Sequence, residues 1–264
     1  HYLEEVNKNT FLLVEYGIES THDATLRRIN RGHTFQDTVD AVERTVACGI
    51  LTGGHVILGL PGETHEDLVA QAATLSRLPI TTLKMHQLQL IRGTRMAHEY
   101  EQHPEDFHLF GVEEYIDLVI DYIEHLRPDL VLERFVSQSP KELLIAPDWG
   151  LKNYEFNHRV QKRMKELGAY QGKKYYVLGG TVSNYTGLTL YEGTWYDLNA
   201  GAVNTQYTGL VKYNGNWYYV EKGILNWNYT GLTKYYSTWY YVYKGMLNWG
   251  YTGLTNYGGT WYYV

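Results

Sequence analysis

The stretch GHVILGLPGE, residues 54–63, decides the fold of the first part of this chain. Its apolar and β-branched run predicts a strand over Gly54–Leu60, which Pro61 and Gly62 then end. Glycines at a strand end let the backbone approach a ligand closely, and Glu63 stands beside that turn. We therefore expect a strand that leads into a binding turn.

On both sides of this stretch, up to about residue 172, short apolar runs alternate with longer helical periods. Such alternation is typical of βα units and a largely parallel sheet. Thr34 is expected to cap a helix, and Thr64 with Asp67 resembles a capping box. The predicted strands are Phe11–Ile18, Gly54–Leu60, Thr82–Leu90 and Leu130–Val136; the predicted helices are Asp23–Asn30, Thr34–Cys48, Thr64–Arg77, Val112–Leu126 and Glu155–Leu167.

Alternation along three of these strands places polar side chains on one shared face, because successive side chains point to opposite sides of a sheet. In an α/β barrel such an inward face holds the catalytic groups near the strand ends. The alternative is that the charged members only pair with one another inside a barrel. The polar face is predicted to carry Glu15, Gly17, Glu19, His55, Ile57, Gly59, Lys84, His86 and Leu88; the face under the helices is predicted to carry Val14, Tyr16, Ile18, Val56, Leu58 and Leu60.

In order along the chain, residues 14–20, 30–34, 55–63, 91–94, 142–147 and 170–172 resemble the radical S-adenosylmethionine (SAM) enzymes, in the C-terminal half of their Elp3-like and coproporphyrinogen-oxidase-like bacterial branch. The resemblance implies that residues 1–172 form half of a partial (β/α) barrel. It also implies a SAM site that includes Glu15, with Glu19 and Ser20 on the ribose or methionine side. Ile57, Gly59, Gly62 and Glu63 are then on the adenine side, and Lys84 and His86 lie nearer the substrate.

The single cysteine, Cys48, excludes an internal disulfide and a cysteine-held iron–sulfur site within one chain. Its place in a helical pattern before Gly49 predicts a small buried side chain. The resembled enzymes hold a [4Fe–4S] cluster with three cysteines of a CxxxCxxC-type loop. We therefore expect no cofactor, metal ligand or catalytic residue that acts in this chain alone. The alternative is a fragment of an active enzyme, which the start at His1 without methionine favours.

Charge and hydropathy limit the partners of the chain. The part after residue 172 has six lysines against three acids, so the earlier part carries about −9 of the net charge of −6. Neither part has the basic stripe that nucleic acids require, and neither has an apolar run of transmembrane length. A half barrel leaves the strand Phe11–Ile18 without a neighbour, so we expect self-association through that edge or its cover by the second part.

Residues 173–264 repeat with a period of 22, and 19 of the 26 tyrosines and six of the seven tryptophans lie there. Each unit has the segment Gly-Leu-x-x-Tyr, a turn such as Asn214-Gly215, and then Trp-Tyr-Tyr-Val. This pattern predicts β-hairpins that stack into an all-β solenoid, since one such unit is too short for a core of its own. The repeated positions are Trp195, Trp217, Trp239 and Trp261, with Tyr-Thr-Gly-Leu units that begin at Tyr185, Tyr207, Tyr229 and Tyr251.

The array is similar to the choline-binding and glucan-binding cell-wall repeats of Gram-positive bacteria. The resemblance implies that the four repeated tryptophans bind choline or a cell-wall polysaccharide by face contacts; the alternative is that they are core. Where those repeats have Trp after Thr-Gly, this chain has leucine, and Trp227 and Trp249 are candidate replacements for the missing wall of the cage. These positions are Leu188, Leu210, Leu232 and Leu254.

Three hypotheses follow for the whole chain: an enzyme fragment, a wall-binding module, or a fusion of two parts that share no function. The first resemblance implies the cytoplasm and the second the cell surface, so the location stays undecided. These two cellular locations conflict, and the conflict favours the hypothesis of a fusion.

Overall fold

The computed structural model describes residues 2–175, 177–178 and 181–264. The chain divides into two compact units, His1–Gly172 and Lys173–Val264. The helices are α1 (Tyr2–Asn7), α2 (Asp23–Arg28), α3 (Phe35–Ala47), α4 (His65–Leu75), α5 (Arg95–Gln102), α6 (Val112–His125) and α7 (Asn153–Leu167), with a 3-10 turn at Pro104–Asp106. None of the helices in the described ranges combines the length and apolar character that a membrane crossing requires.

The first unit is built on a four-stranded parallel sheet in the order β1-β2-β3-β5. A short antiparallel pair, β4 with β6, lies outside this sheet. The predicted strands are present, although each observed strand is shorter than or shifted from its prediction. The strands of this unit are β1 (Leu13–Glu19), β2 (Leu51–Leu58), β3 (Thr82–Gln87), β4 (Leu90–Ile91), β5 (Val131–Arg134) and β6 (Leu144–Ala146).

One large apolar core joins the sheet to α3, α4, α6 and α7. The predicted buried face contributes to it through Ile18, Val56 and Leu58, which are all fully buried. Leu60 is an exception, because β2 ends at Leu58 and Leu60 packs in a separate small cluster with Leu88, Leu90 and Phe107. The core therefore lies on one side of the sheet and leaves the other side for polar groups.

Local sequence sets the helix starts. Both Thr34 and Thr64 accept a backbone N–H three residues ahead, and Asp37 and Asp67 accept in return, so both capping boxes form. Cys48 corrects a prediction: it is exposed rather than buried, because it caps the C-terminus of α3 beyond the last helical turn. Helices α1 and α5 were not predicted from the sequence.

The second unit is a set of antiparallel hairpins, which confirms the predicted fold class of an α/β part followed by hairpin repeats. A short strand after each of the second and third hairpins joins it to the preceding one, as Tyr196 opposite Ile224 and Tyr218 opposite Met246 show. The strands are β7 (Val177–Leu178), β8 (Thr181–Val182), β9 (Gly187–Tyr191), β10 (Thr194–Asn199), β11 (Ala202–Val203), β12 (Gly209–Tyr213), β13 (Asn216–Glu221), β14 (Ile224–Leu225), β15 (Gly231–Tyr235), β16 (Thr238–Tyr243), β17 (Met246–Leu247), β18 (Leu254–Tyr257) and β19 (Thr260–Tyr263).

The Tyr-Thr-Gly-Leu unit is a structural clamp. In the second repeat, the Tyr207 hydroxyl donates to the Leu210 carbonyl at 2.8 Å, and Thr208 Oγ1 accepts the Lys222 N–H at 3.0 Å. Gly209 has a φ of +155°, and a Cβ there would meet the Tyr207 hydroxyl at 2.9 Å. Only glycine combines that backbone with the space for the ring. These contacts give the motif a structural role within the hairpin.

Candidate functional site

The polar face of the first sheet is an ion-pair network. Lys84 on β3 pairs with Glu15 on β1 in a short contact, and its Nζ lies 3.4 Å from Glu133 Oε2. His55 Nε2 lies 3.2 Å from Glu15 Oε2 without hydrogen-bond alignment. The Lys84 ammonium and His55 lower the pKa of Glu15 against the opposing effect of burial, and Glu15 raises the pKa of Lys84. These contacts match the alternative that the charged members pair with one another.

At the carboxyl ends of β1 and β2 lies a buried hydroxyl–carboxylate pair. The Ser20 hydroxyl donates to Glu63 Oε1 in a short hydrogen bond and accepts the His22 N–H at 3.0 Å. Ser20 is fully buried, and the Glu63 side chain is 1% exposed, with an Oε2 atom that is buried and without a partner. The pair ties the two strand ends together from beneath the surface.

Glu19, the last residue of β1, is an acidic group whose side chain is 18% exposed. It has a left-handed backbone, with a φ of +62°, where the register of β1 shifts against β2. Its carboxylate lies 3.3 Å from the Arg31 guanidinium, which also donates to the Gly17 carbonyl at 2.8 Å. Non-glycine residues are held in this conformation chiefly where the surrounding structure demands it, and such residues cluster at functional sites.

The glycines of the turn after β2 have different surroundings. Gly59 and Gly62 have φ values of +91° and +90°. A Cβ on Gly59 would meet the Phe110 ring at 2.8 Å, whereas the nearest atom to one on Gly62 is an Arg28 nitrogen at 3.7 Å. Gly59 is thus required by packing as well as by its backbone, and Gly62 by its backbone.

A cavity of about 430 Å³ opens at these strand ends, within the size range of small-molecule sites. It brings together Glu19, Ile57 and His86 of the predicted site, together with His55. Glu15, Ser20, Gly59, Gly62, Glu63 and Lys84 do not line it. The remaining lining residues are Ile29, Leu60, Gln87, Leu88, Gln89, Ile91, Thr94, Met96, Ser137 and Ser139.

His86 is held neutral in this cavity. Burial, with the nearby His55, Arg134 and Lys84, lowers the pKa of His86 to about 4. Its ring stacks on that of His55 with centroids 5.6 Å apart, and its Nε2 is buried without a hydrogen-bond partner. At neutral pH the imidazole can therefore donate or accept one hydrogen bond to a bound molecule.

The sequence reasoning missed a wall made of amides and hydroxyls. Gln89 Oε1 accepts hydrogen bonds from Ser137 and Ser139 at 2.9 and 2.8 Å, and Gln87 exchanges two hydrogen bonds with the backbone of Ser137. Gln87 is the last residue of β3 and Gln89 follows it, and Ser137 and Ser139 follow β5. Their place at the carboxyl ends of two parallel strands is the signal that could have found them.

The residues of the first unit fit the two cofactors that the resemblance implies to different degrees. A [4Fe–4S] cluster is held by several thiolates, and Cys48 is the one cysteine of these 264 residues. Across the described ranges, no group of three or more His, Cys, Asp or Glu side chains is arranged to hold a metal ion. The residues present therefore do not fit the cluster. SAM fits better, because the cavity has an apolar wall at Ile57, a carboxylate at Glu19 and an unpartnered imidazole nitrogen at His86.

In the hairpin unit, the tryptophans of the first three repeats each meet a tyrosine of the next hairpin edge-on. Trp195 lies 5.1 Å from Tyr213, and Trp217 and Trp239 each lie 4.8 Å from their tyrosines, Tyr235 and Tyr257. Trp261 in the last hairpin is 66% exposed. The rings of each Trp–Tyr pair remain at least partly exposed at the junction between two hairpins.

The leucines after Thr-Gly are core residues. Leu188, Leu210 and Leu232 are each 2% exposed, whereas Leu254 of the fourth hairpin is 63% exposed. Trp227 packs on Tyr218 and Trp249 on Tyr240, with ring centroids 6.0 and 5.9 Å apart. These two tryptophans thus form a second set of aromatic pairs, separate from the Trp217–Tyr235 and Trp239–Tyr257 pairs.

Comparisons with known proteins agree with both units. The Radical SAM superfamily model matches residues 1–73, the Radical_SAM C-terminal domain matches 80–166, and the choline-binding repeat matches 184–204, 206–226, 228–248 and 250–264. The protein YtqA of Bacillus subtilis is 34% identical over 172 residues, 65% of this chain and 53% of YtqA. The protein MJ0486 of Methanocaldococcus jannaschii is 31% identical over 174 residues, 66% of this chain and 53% of MJ0486.

A solved structure of Elp3 from Methanocaldococcus infernus, shortened at its N-terminus, aligns with a TM-score of 0.56 and 16% identity over 83% of this chain and 50% of Elp3. The likeness at that identity shows the fold alone. The chain spans about half the length of the curated relatives it matches. With the parallel sheet, the hairpin repeats and these matches, the chain combines a radical SAM-like domain with a choline-binding repeat region.

Proposed function

We propose that the first unit binds SAM in the cavity at the strand ends but does not cleave it with these 264 residues alone. The observation that carries the proposal is the convergence of Glu19, Ile57 and His86 on one cavity, while the single cysteine, Cys48, is exposed at the C-terminal end of α3 and does not line that cavity. In this superfamily, the cluster supplies the electron that cleaves SAM. Without three cysteines the chain has no site for that cluster.

The residues have distinct roles in this proposal. Glu19 accepts hydrogen bonds from the hydroxyl or amino groups of SAM, Ile57 packs against its adenine, and His86 offers its Nε2 to the substrate. Ser20, Glu63, Gly59 and Gly62 shape the strand ends, and the Glu15–Lys84 pair joins β1 to β3 across the intervening β2.

Calorimetry with SAM tests the binding. Glu19→Gln removes one negative charge from the cavity, and we expect about tenfold weaker SAM binding. Glu15→Gln makes the same chemical change four residues earlier on β1, outside the cavity, and serves as the matched control. Equal losses in both variants, or no SAM binding by the original chain, contradict the assignment. A content of four irons per chain together with SAM cleavage after anaerobic reconstitution contradicts the proposal that these residues alone do not cleave SAM.

The repeats support a second function, binding of choline or a cell-wall glycan. The observation that favours it is the aromatic pairs at the hairpin junctions, because aromatic faces attract quaternary ammonium groups and sugar rings. Trp195→Ala is expected to remove one junction site, which titration with choline and with a neutral glucan can count. Unchanged stoichiometry for both ligands contradicts it.

The two parts are proposed to act independently, as expected for a fusion. Saturation with SAM then leaves the affinity for choline or glucan unchanged, and the reverse holds by thermodynamic linkage. A change in either affinity supports one joint machine instead. Self-association through β1, an edge strand of its sheet, stays a prediction.

A further inference from the structure

Two lysines of the array lie over the rings of tryptophans at the junctions between hairpins. Lys212 lies directly across the hairpin from Trp217, with its Nζ 6.0 Å from the ring centroid. Lys234 has the same relation to Trp239, at 5.9 Å. A lysine ammonium near an aromatic face is the contact that a quaternary ammonium ligand makes. At these two tryptophans the chain supplies its own cation.

The other two hairpins lack this cation. Leu190 stands across from Trp195, and Asn256 across from Trp261. The four junction tryptophans are thus of two kinds, although they occupy equivalent places in the repeat. A ligand cation that approaches Trp217 or Trp239 meets the like charge of the lysine across the hairpin, whereas the residue across from Trp195 is the neutral Leu190.

The charge on these lysines is not neutralised within the array. Across the described residues, neither Lys212 nor Lys234 forms an ion pair with a carboxylate. Asp197 accepts from the Asn204 amide and Glu221 from the Asn226 amide, so two of the three acids contact neutral groups. With six lysines and three acids after residue 172, the array is positively charged in a chain of net charge −6.

We propose that the Trp217 and Trp239 junctions select an anionic glycan, with sugar rings on the aromatic faces and carboxylate or phosphate groups on Lys212 and Lys234. The Trp195 junction, where Leu190 replaces the lysine, keeps the preference for a quaternary ammonium or neutral sugar. This inference rests on the proposed binding function of the repeats and names its ligand class.

The test uses the full chain and four probes: choline chloride, neutral dextran, polygalacturonate as a carboxylate polymer, and choline-free poly(glycerol phosphate) as a phosphate polymer. At low salt we expect at least one anionic polymer to bind about tenfold more tightly than dextran. That preference should fall as salt rises, because salt screens exposed charges. The two anionic arms distinguish a carboxylate from a phosphate source.

The variant Lys212→Leu with Lys234→Leu gives both hairpins the residue found at position 190. It is expected to lose the preference for the anionic polymer and to bind choline more tightly, each by about tenfold. Lys222→Asn with Lys244→Asn removes the same two charges at left-handed turn positions, which asparagine tolerates, and should retain most of the preference. Leu190→Lys is the reverse change, expected to weaken choline binding and to strengthen binding of the anionic polymer.

The outcomes separate the inference from the function beneath it. Binding of choline or dextran without any anionic preference overturns the inference and leaves the binding function standing. A preference lost equally in both double-lysine variants also overturns it, since net charge then explains the effect. Absence of binding to all four probes overturns the binding function and the inference together. If the double leucine variant fails to fold, as circular dichroism reports, Leu190→Lys alone decides: unchanged ligand preference overturns the inference.

Discussion

The parallel sheet of the first unit and the hairpins of the second bury their apolar side chains in different ways. The first unit collects residues from strands and helices far apart in sequence into one large core. In the second, each small cluster joins neighbouring hairpins, as Leu188 with Val220 and Leu225, and Leu210 with Tyr219 and Val242. Stability is therefore shared across the first unit and is a sum of neighbouring terms in the second. A function placed in one repeat can change without loss of the others.

The sharpest test of this difference compares one substitution in both units. Leu83 and Leu210 are buried leucines, 0% and 2% exposed, and Leu→Ala at either is expected to cost about 2–5 kcal/mol. Leu83→Ala should lower hydrogen-exchange protection across the whole first unit. Leu210→Ala should lower it in the second and third hairpins only. Equal loss throughout the array contradicts the neighbour description.

Glycines that the structure requires for different reasons give the next largest effect. Gly209→Ala places a Cβ against the Tyr207 hydroxyl on a positive-φ backbone, and we expect a loss of about 1–3 kcal/mol. Gly168→Ala at the end of α7 has open space, so only the left-handed cost of about 1 kcal/mol applies. Gly32→Ala, with neither constraint, is the control. Denaturant unfolding measures all three, and equal costs would remove the role of the tyrosine clamp.

Threonine hydroxyls do comparable work in both units. Thr34 caps α3, and Thr208 accepts the Lys222 N–H at the end of its hairpin. Replacement of either by alanine is expected to cost about 1 kcal/mol, because one backbone donor loses its partner. Thr→Ser at each position keeps the hydroxyl and should recover most of the stability. Failure of the serine variants to do so assigns the loss to the methyl group.

The smallest effect is a difference in pH dependence. Burial lowers the pKa of His86 to about 4, so the folded first unit binds fewer protons than the unfolded chain, and its stability is lost as pH falls from about 6.5 towards 4. Burial raises the pKa of Asp197 above its ordinary value, so the folded array binds more protons than the unfolded chain and loses stability as pH rises through the folded-state pKa of that carboxyl. His86→Asn and Asp197→Asn should each flatten the slope of their own unit. Hydrogen exchange measured against pH reports the stability of each unit separately. If stability changes with pH in the same direction in both units, the prediction is contradicted.

Much of the fold could be predicted from local signals. The two capping boxes, the parallel strands and the repeat period of 22 depend on residues close in sequence, and the structure agrees with each. The prediction that Cys48 is buried was wrong, because helical periodicity does not show which side chains at the end of a helix are exposed to solvent. Gln89 and Ser137 were missed since their contact joins segments 48 residues apart. The assignment of SAM and substrate residues stays a prediction.

The sequence by itself determined the two-part organisation, the hairpin period and the strands with their polar and apolar faces, because these follow from spacing along one chain. Tertiary structure alone decided which predicted residues share the cavity, which tryptophans meet a tyrosine of the next hairpin, and which of them have a lysine over the ring. Those outcomes depend on distances between side chains that the backbone brings together from different strands. The stretch 54–63 shows both contributions: its pattern predicted a strand and turn, and packing placed Ile57 in the cavity lining and buried the Glu63 side chain outside that lining.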